Sequence, residues 1–365
     1  GQHYLELSQT ERNMVNIVCK NFDHVIVICN SSNAMELGWV DEYKQIGSVI
    51  SCPGAGETGF AALGKILNGE VNPSGKLADT YVYDLTATPA FNNFGDFTYE
   101  NMNEFGWEEA NPFSGETKQN DVNFVNYVEN IYVGYKFYET AAEEGLIKYE
   151  DMVQYPFGYG LSYTTFDKQI ENFKDNGDTV TFDVTVENTG SVAGKDVVEI
   201  YYTAPYTNGG IEKAAANLIA FEKTDSIEPG ESQTKSFTIN KEDMASYDSE
   251  GIKISGGGYI LEAGEYTISL RSDSHTVLGE EKFTVDEDID YSKDGRSSDK
   301  TVATNQFEDY ARGDFEQLSR EDGFANYDKA CGVPEEDAYV MSDEARAAVE
   351  ENVFGFYDGP YYNID

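Results

Sequence analysis

The stretch from Ser48 to Tyr81, SVISCPGAGETGFAALGKILNGEVNPSGKLADTY, most constrains how this chain can fold. Val49, Ile50, Ser51 and Cys52 read as a short apolar strand running into a tight, glycine-rich turn. A helix follows, because Phe60, Leu63, Ile66 and Leu67 recur at the spacing that lines one helical face. Asn72-Pro73-Ser74-Gly75 ends it, since proline removes a backbone donor and glycine loosens the backbone. A β-rich run, Leu77 to Tyr83, comes next. Strand, helix and strand in this order predict a parallel α/β layer.

Gly54-Ala55-Gly56-Glu57-Thr58-Gly59 also spells G-x-G-x-x-G between a strand and a helix. In dinucleotide-binding proteins such a turn lets backbone N–H groups approach a pyrophosphate at a helix N-terminus. Two residues argue against that use here. Pro53 lacks a backbone donor, and Glu57 puts a carboxylate where phosphates would sit. The structural reading is that the glycines permit the turn while Glu57 complements the helix dipole in its first turn. No Gly-Lys-Ser/Thr follows at Walker A spacing, so no nucleotide cofactor is expected.

Charge narrows the partners. Lys and Arg number 25 against 67 Asp and Glu, a formal net charge of −42, which repels nucleic acid and anionic membrane surfaces but leaves a neutral sugar indifferent. A 40% hydrophobic, 13% aromatic composition supports packed cores rather than an acidic disordered tail. Cys19, Cys29, Cys52 and Cys331 show no C-x-x-C spacing; Cys29 and Cys52 fall at the ends of strands expected to be buried. His3, His24 and His275 are scattered, so no metal site is expected. With no apolar run of about eighteen residues and no signal-peptide pattern, a cytoplasmic setting is the expectation, although a chain opening at Gly1 leaves a removed leader open.

The pattern changes along the chain. Leu7 to Phe22 reads as an amphipathic helix with Ser8 as N-cap and Glu11 completing a capping box. Thr86 to Asn126 has little periodicity and reads as a long surface excursion before a strand at Tyr127. Its rings, Phe94, Phe97, Tyr99, Phe105 and Trp107, either offer faces to a sugar or hold the loop down. Tyr155 to Phe166, dense in rings and glycines, reads as a packed corner. From about Asp167 period-two strands dominate: Thr179–Asn188, Val197–Tyr202, Lys235–Ile239 and Gly264–Leu270, as in a β-sandwich. After about Val285 the chain turns polar and acidic.

Several of these segments together resemble glycoside hydrolase family 3, the β-glucosidase family. They are His24 to Asn30 followed by Glu36-Leu37-Gly38-Trp39, Gly69 to Leu77 (GEVNPSGKL), Tyr127 to Tyr135 (YVENIYVGY) and Tyr155 to Tyr163 (YPFGYGLSY). The resemblance implies an α/β sandwich domain, a largely parallel sheet with flanking helices, over residues 1–166 and incomplete at its N-terminal side. Val186 to Gly190, Gly194 to Val198, Leu218 to Lys223 and Ile227 to Glu231 are similar to the family's fibronectin type III-like domain, here over 167–285. Asn305 to Asp314 looks like the linker of members with permuted domain order, so 286–365 is expected to be an acidic linker leading toward a (β/α)8 barrel. A barrel needs roughly 250 residues and has no counterpart in this sequence.

Members of the family hydrolyse glycosides with retention, using two carboxylates about 5 Å apart. The family's nucleophile is a barrel Asp, and its acid/base is commonly a Glu a little before the helix that starts here near Ser8. Tyr4 to Ser8 matches the residues just after that loop, so no catalytic residue is assigned within this chain; Glu6 sits in the helix lead-in and is not taken as a substitute. Trp107, Glu108 and Glu109 are expected as outer contacts to substrate. The implied partners are a barrel domain, in the same or a separate chain, and an oligo- or aryl β-glycoside. The alternative is a stand-alone carbohydrate-binding or scaffold protein.

Overall fold

The structure, a computed structural model, describes residues 5–104, 107–110, 117–120, 123–304, 316–335 and 339–347, with backbone alone at 103, 107–110 and 117–120. It divides into two compact units. One joins Gly1–Leu85, Ile131–Ala303 and Arg320–Phe324; the other joins Thr86–Asn130, Thr304–Ser319 and Ala325–Asp365.

The first unit opens with α1 (Gln9–Asn21), and its capping box is complete: Ser8 Oγ accepts from the Glu11 N–H while Glu11 accepts from the Ser8 N–H at 2.8 Å. Strands β1 (Val25–Cys29) and β2 (Ile46–Ser51) pair in parallel, with Val27 opposite Val49. Val25, Val27 and Cys29 pack toward Val15 and Cys19 of α1 and toward Trp39. The opposite face is open, with Ile26 and Ile28 exposed. The strands ending near Cys29 and Cys52 are therefore half-buried, not the fully buried strands their composition suggested. An apolar run shows only that some burial is needed, not that both faces are covered.

Helix α2 (Phe60–Leu67) forms where its periodicity predicted, although only Leu63 is buried. It begins after an N-cap at Gly59 and carries no acidic residue in its first turn. Glu57 thus precedes the helix instead of facing its dipole from the first turn, which corrects the sequence reading. The β-rich run Leu77–Tyr83 shrinks to β3 (Tyr81–Val82). After the hairpin β4 (Trp107–Ala110) and β5 (Thr117–Asn120) of the second unit come α3 (Tyr135–Glu143), α4 (Tyr149–Met152) and β6 (Val153–Tyr155). β3 pairs antiparallel with β6, so the parallel pair is β1–β2 and not the strands flanking α2.

The sandwich follows, with β7 (Phe166–Asp175), β8 (Thr179–Asn188), β9 (Val197–Thr203), β10 (Asn217–Lys223) and β11 (Ser232–Asn240). Then come β12 (Ser246–Asp248), β13 (Gly258–Leu261), β14 (Gly264–Arg271), β15 (Val277–Val285) and β16 (Ile289–Asp290). One sheet has the order β10-β9-β14-β15 and the other β11-β8-β7, while β12-β13-β16 form a small third sheet. Val180, Phe182, Val184 and Val186 alternate into the core, where they meet Val198, Ile200, Ile268 and Leu270. Alternation of this kind is what lets two antiparallel sheets share an apolar interior. Across the β8–β11 pair, Phe182 stacks on Phe237 at 5.4 Å.

Within the stretch read as an acidic linker, Arg320–Phe324 belongs to the first unit. The buried Arg320 guanidinium donates to Glu144 at 2.6 Å, Glu143 at 2.8 Å and the Lys213 carbonyl at 3.0 Å. Phe324 packs edge-on against Tyr132 at 4.9 Å. In the second unit Phe97 stacks on Phe124, and Tyr99 and Tyr339 meet Phe124 edge-on. The strand expected at Tyr127 is absent: Val128 and Tyr132 are buried in irregular backbone.

Candidate functional site

Two of the segments that carried the resemblance, Gly69 to Leu77 and Tyr155 to Tyr163, close on one another inside the first unit. The Asn72 amide oxygen accepts from Ser162 Oγ and from the Tyr163 N–H, both at 2.8 Å, while its Nδ2 donates to the Ala193 carbonyl at 3.1 Å. One side chain therefore satisfies three neighbours drawn from two segments. The Leu77 N–H donates to the Tyr159 carbonyl and the Gly158 N–H to the Leu77 carbonyl, each at 2.8 Å. Gly158 has φ +83°, and a Cβ there would lie 2.2 Å from Glu199 Oε2; a Cβ on Gly160 would lie 2.2 Å from the Gly75 carbonyl oxygen. These glycines are required by close approach as well as by turn geometry.

Charges are buried at the same place. Asp196 lies 3.0 Å from Lys168 Nζ and 3.4 Å from Lys76 Nζ. Burial pushes its carboxyl up, but the two ammonium groups more than offset this and hold it below the usual carboxylate range. At Glu199 the compensation falls short: burial raises it to about 7 even though Tyr201 donates a 2.9 Å hydrogen bond and the Lys76 and Lys168 charges also pull it down. A carboxyl titrating near neutrality resembles a catalytic acid. Here, however, it faces Gly158 and Tyr201 within the domain joint, and it is 3% exposed. It serves packing.

A second joint binds α3 and α4 to the β14–β15 turn. Glu139 accepts from Ser274 Oγ at 3.0 Å and meets His275 Nδ1 at 2.9 Å, and the Tyr149 ring stacks on the imidazole at 3.6 Å. The hydrogen bond that His275 donates to Glu139 raises its pKa above the ordinary value. Serine, histidine and glutamate meet here, yet the serine hydroxyl bonds the carboxylate and not the imidazole. Without a base on the hydroxyl there is no activated nucleophile.

The sequence-predicted contacts lie elsewhere. Trp107, Glu108 and Glu109 are in β4, opposite Asn120, Gln119 and Lys118 of β5; their side chains lie outside the described residues. Phe105 also lies outside the described residues. Glu6 precedes the Ser8 cap, as read from the sequence. Gly54 and Gly56 adopt positive φ in the turn before α2. Among the described residues, no group of three or more His, Cys, Asp or Glu side chains could hold a metal ion. The excursion's rings divide: Phe97 and Tyr99 hold the loop down, whereas Phe94 is 75% exposed. Sequence reasoning missed Tyr127, 68% exposed, because it was assigned to a strand.

Residues 2–163 match the glycosyl hydrolase family 3 C-terminal domain, and residues 196–274 match the fibronectin type III-like domain. Beta-glucosidase A of Butyrivibrio fibrisolvens is 37% identical over 285 residues, covering 74% of this chain and 30% of that protein. A beta-glucosidase of Ruminococcus albus is 35% identical, covering 77% of this chain and 26% of its own length. Among solved structures, beta-glucosidase 3B of Thermotoga neapolitana in complex with glucose superposes with a TM-score of 0.63 at 30% identity, over 80% of this chain and 36% of that one. The chain thus spans about a third or less of the length of these relatives. It belongs to glycoside hydrolase family 3, of which it carries the C-terminal α/β domain and the fibronectin type III-like domain.

Proposed function

We propose that this chain supplies the non-barrel walls of a retaining β-glucosidase, with domain boundaries near residues 166 and 285. A (β/α)8 barrel, in the same or another polypeptide, would provide the nucleophile. The supporting observation is the likeness to β-glucosidases over about three quarters of the chain, within which Asn72 clasps Ser162, Tyr163 and Ala193 by hydrogen bonds. Retention needs two carboxylates about 5 Å apart, and the resemblance puts neither within this sequence. In this reading the chain positions and the barrel reacts. The β4–β5 hairpin, bearing Trp107, Glu108 and Glu109, is the element we assign to the outer end of an oligo- or aryl β-glucoside.

The test is reconstitution. The purified chain is mixed with a separately produced family 3 barrel and assayed on 4-nitrophenyl β-glucoside. Hydrolysis that requires both components is expected. Sugar binding by the chain, without hydrolysis in any such mixture, would favour a stand-alone carbohydrate-binding protein.

A further inference from the structure

In the second unit, Thr98 and Asn123 form an antiparallel bridge, and the Phe124 N–H donates to the Phe97 carbonyl at 3.0 Å. The two segments sort their side chains by face. Phe97 and Phe124 stack inward at 5.7 Å. Beside them, Asn126 Nδ2 reaches Asn93 Oδ1 at 3.5 Å and the Tyr339 hydroxyl at 3.0 Å, and both asparagines are buried. Asn93 in turn donates to the Gly332 carbonyl at 2.9 Å. One residue after each of these bonded asparagines stands an exposed ring: Phe94 is 75% exposed and Tyr127 68%. On the outward side, Asn123 Nδ2 donates to Asp96 Oδ1 at 3.3 Å, and both residues are exposed.

We infer that Phe94 and Tyr127, with Asp96 and Asn123 at their edge, form a binding surface for β-linked glucosyl residues. A pyranose presents an apolar C–H face and a rim of hydroxyls. Aromatic rings cover the first, while carboxylate and amide groups hydrogen-bond the second. The hydrogen bonds of Asn93 and Asn126 hold the backbone next to each ring in place. The net charge of −42 disfavours anionic ligands but leaves a neutral saccharide unaffected. The inference rests on the β-glucosidase reading and extends it, because these residues lie apart in sequence from Trp107 to Glu109 and no resemblance assigned them.

Native gels containing soluble hydroxyethylcellulose test it with the full chain. The wild-type protein is expected to be retarded, and Phe94→Ala with Tyr127→Ala is expected to weaken retardation by about tenfold. Both rings are exposed, so the double variant should keep its melting temperature, which confirms folding. No retardation of the wild type, or equal retardation of both proteins, overturns the inference. A double variant that binds the glucan normally but no longer associates with a barrel assigns the surface to protein contact instead, and also overturns it. A chain that binds through these rings yet never supports hydrolysis leaves the inference standing and removes the enzyme reading.

Discussion

Single side chains at the joint between the α/β part and the sandwich carry consequences out of proportion to their size. Gly158→Ala would place a methyl 2.2 Å from Glu199 Oε2 on a backbone at φ +83°. We expect a loss of about 2 kcal/mol or more, read by urea unfolding; an unchanged midpoint would show that the corner yields. Phe157 is half-buried against Tyr135 at 4.8 Å, so Phe157→Ala should cost less than truncation of a core phenylalanine. Glu199 makes the same joint sensitive to pH. Its folded pKa of about 7 lies above the ordinary 4.5, so the folded state holds a proton that the unfolded state releases across that interval. Stability therefore falls as pH rises from about 4.5 to about 7, by on the order of 3 kcal/mol at most. Glu199→Gln should abolish this slope and raise stability at pH 8. Unfolding curves at pH 5 and pH 8 that keep the wild-type difference would contradict the assignment.

Secondary-structure elements show where local sequence was enough and where it was not. The α1 cap was legible because Ser8 and Glu11 satisfy each other within four residues, and Ser8→Ala should cost about 1 kcal/mol in the melting transition. The strand β8 was legible because period-two burial is written along it, as at Val180 to Val186. β3 was not, since a partner some seventy residues on, β6, decides which two residues pair. Glu57 failed as a dipole partner because the turn runs on to Gly59 before the helix begins. The excursion was half legible. Its rings announced a cluster, but which of them faced inward depended on Phe124 and Tyr339 from distant sequence. The corner at Tyr155 to Phe166 was legible in its rings and glycines, but the second joint was not, because Glu139 and Ser274 are brought together only by docking of α3 against the β14–β15 turn. That docking is titratable. The raised His275 pKa means its contribution is fully present below about 6.5 and is lost as pH rises through the folded value. Glu139→Gln should return the His275 titration, followed by NMR, toward its ordinary position. An unmoved titration would show that the 2.9 Å contact does not form in solution.

At the scale of the molecule, the segments that identify the family do structural work. Asn72, Lys76 and Gly158 tie the α/β part to the sandwich, and Arg320 anchors the returning chain with ion pairs to Glu143 and Glu144. Under the role proposed above, such a two-domain wall would fix loops against a reacting domain, and the chain spans about a third of its B. fibrisolvens relative. We propose that this chain positions a glucoside and leaves its cleavage to a barrel domain. The most direct measurement is the hydrolysis of 4-nitrophenyl β-glucoside by the purified chain alone. The account predicts release of nitrophenol at the rate of the buffer blank. Turnover of about 1 s⁻¹ or faster, lost on Glu6→Gln or Glu108→Gln, would place a catalytic carboxylate inside this chain and contradict it.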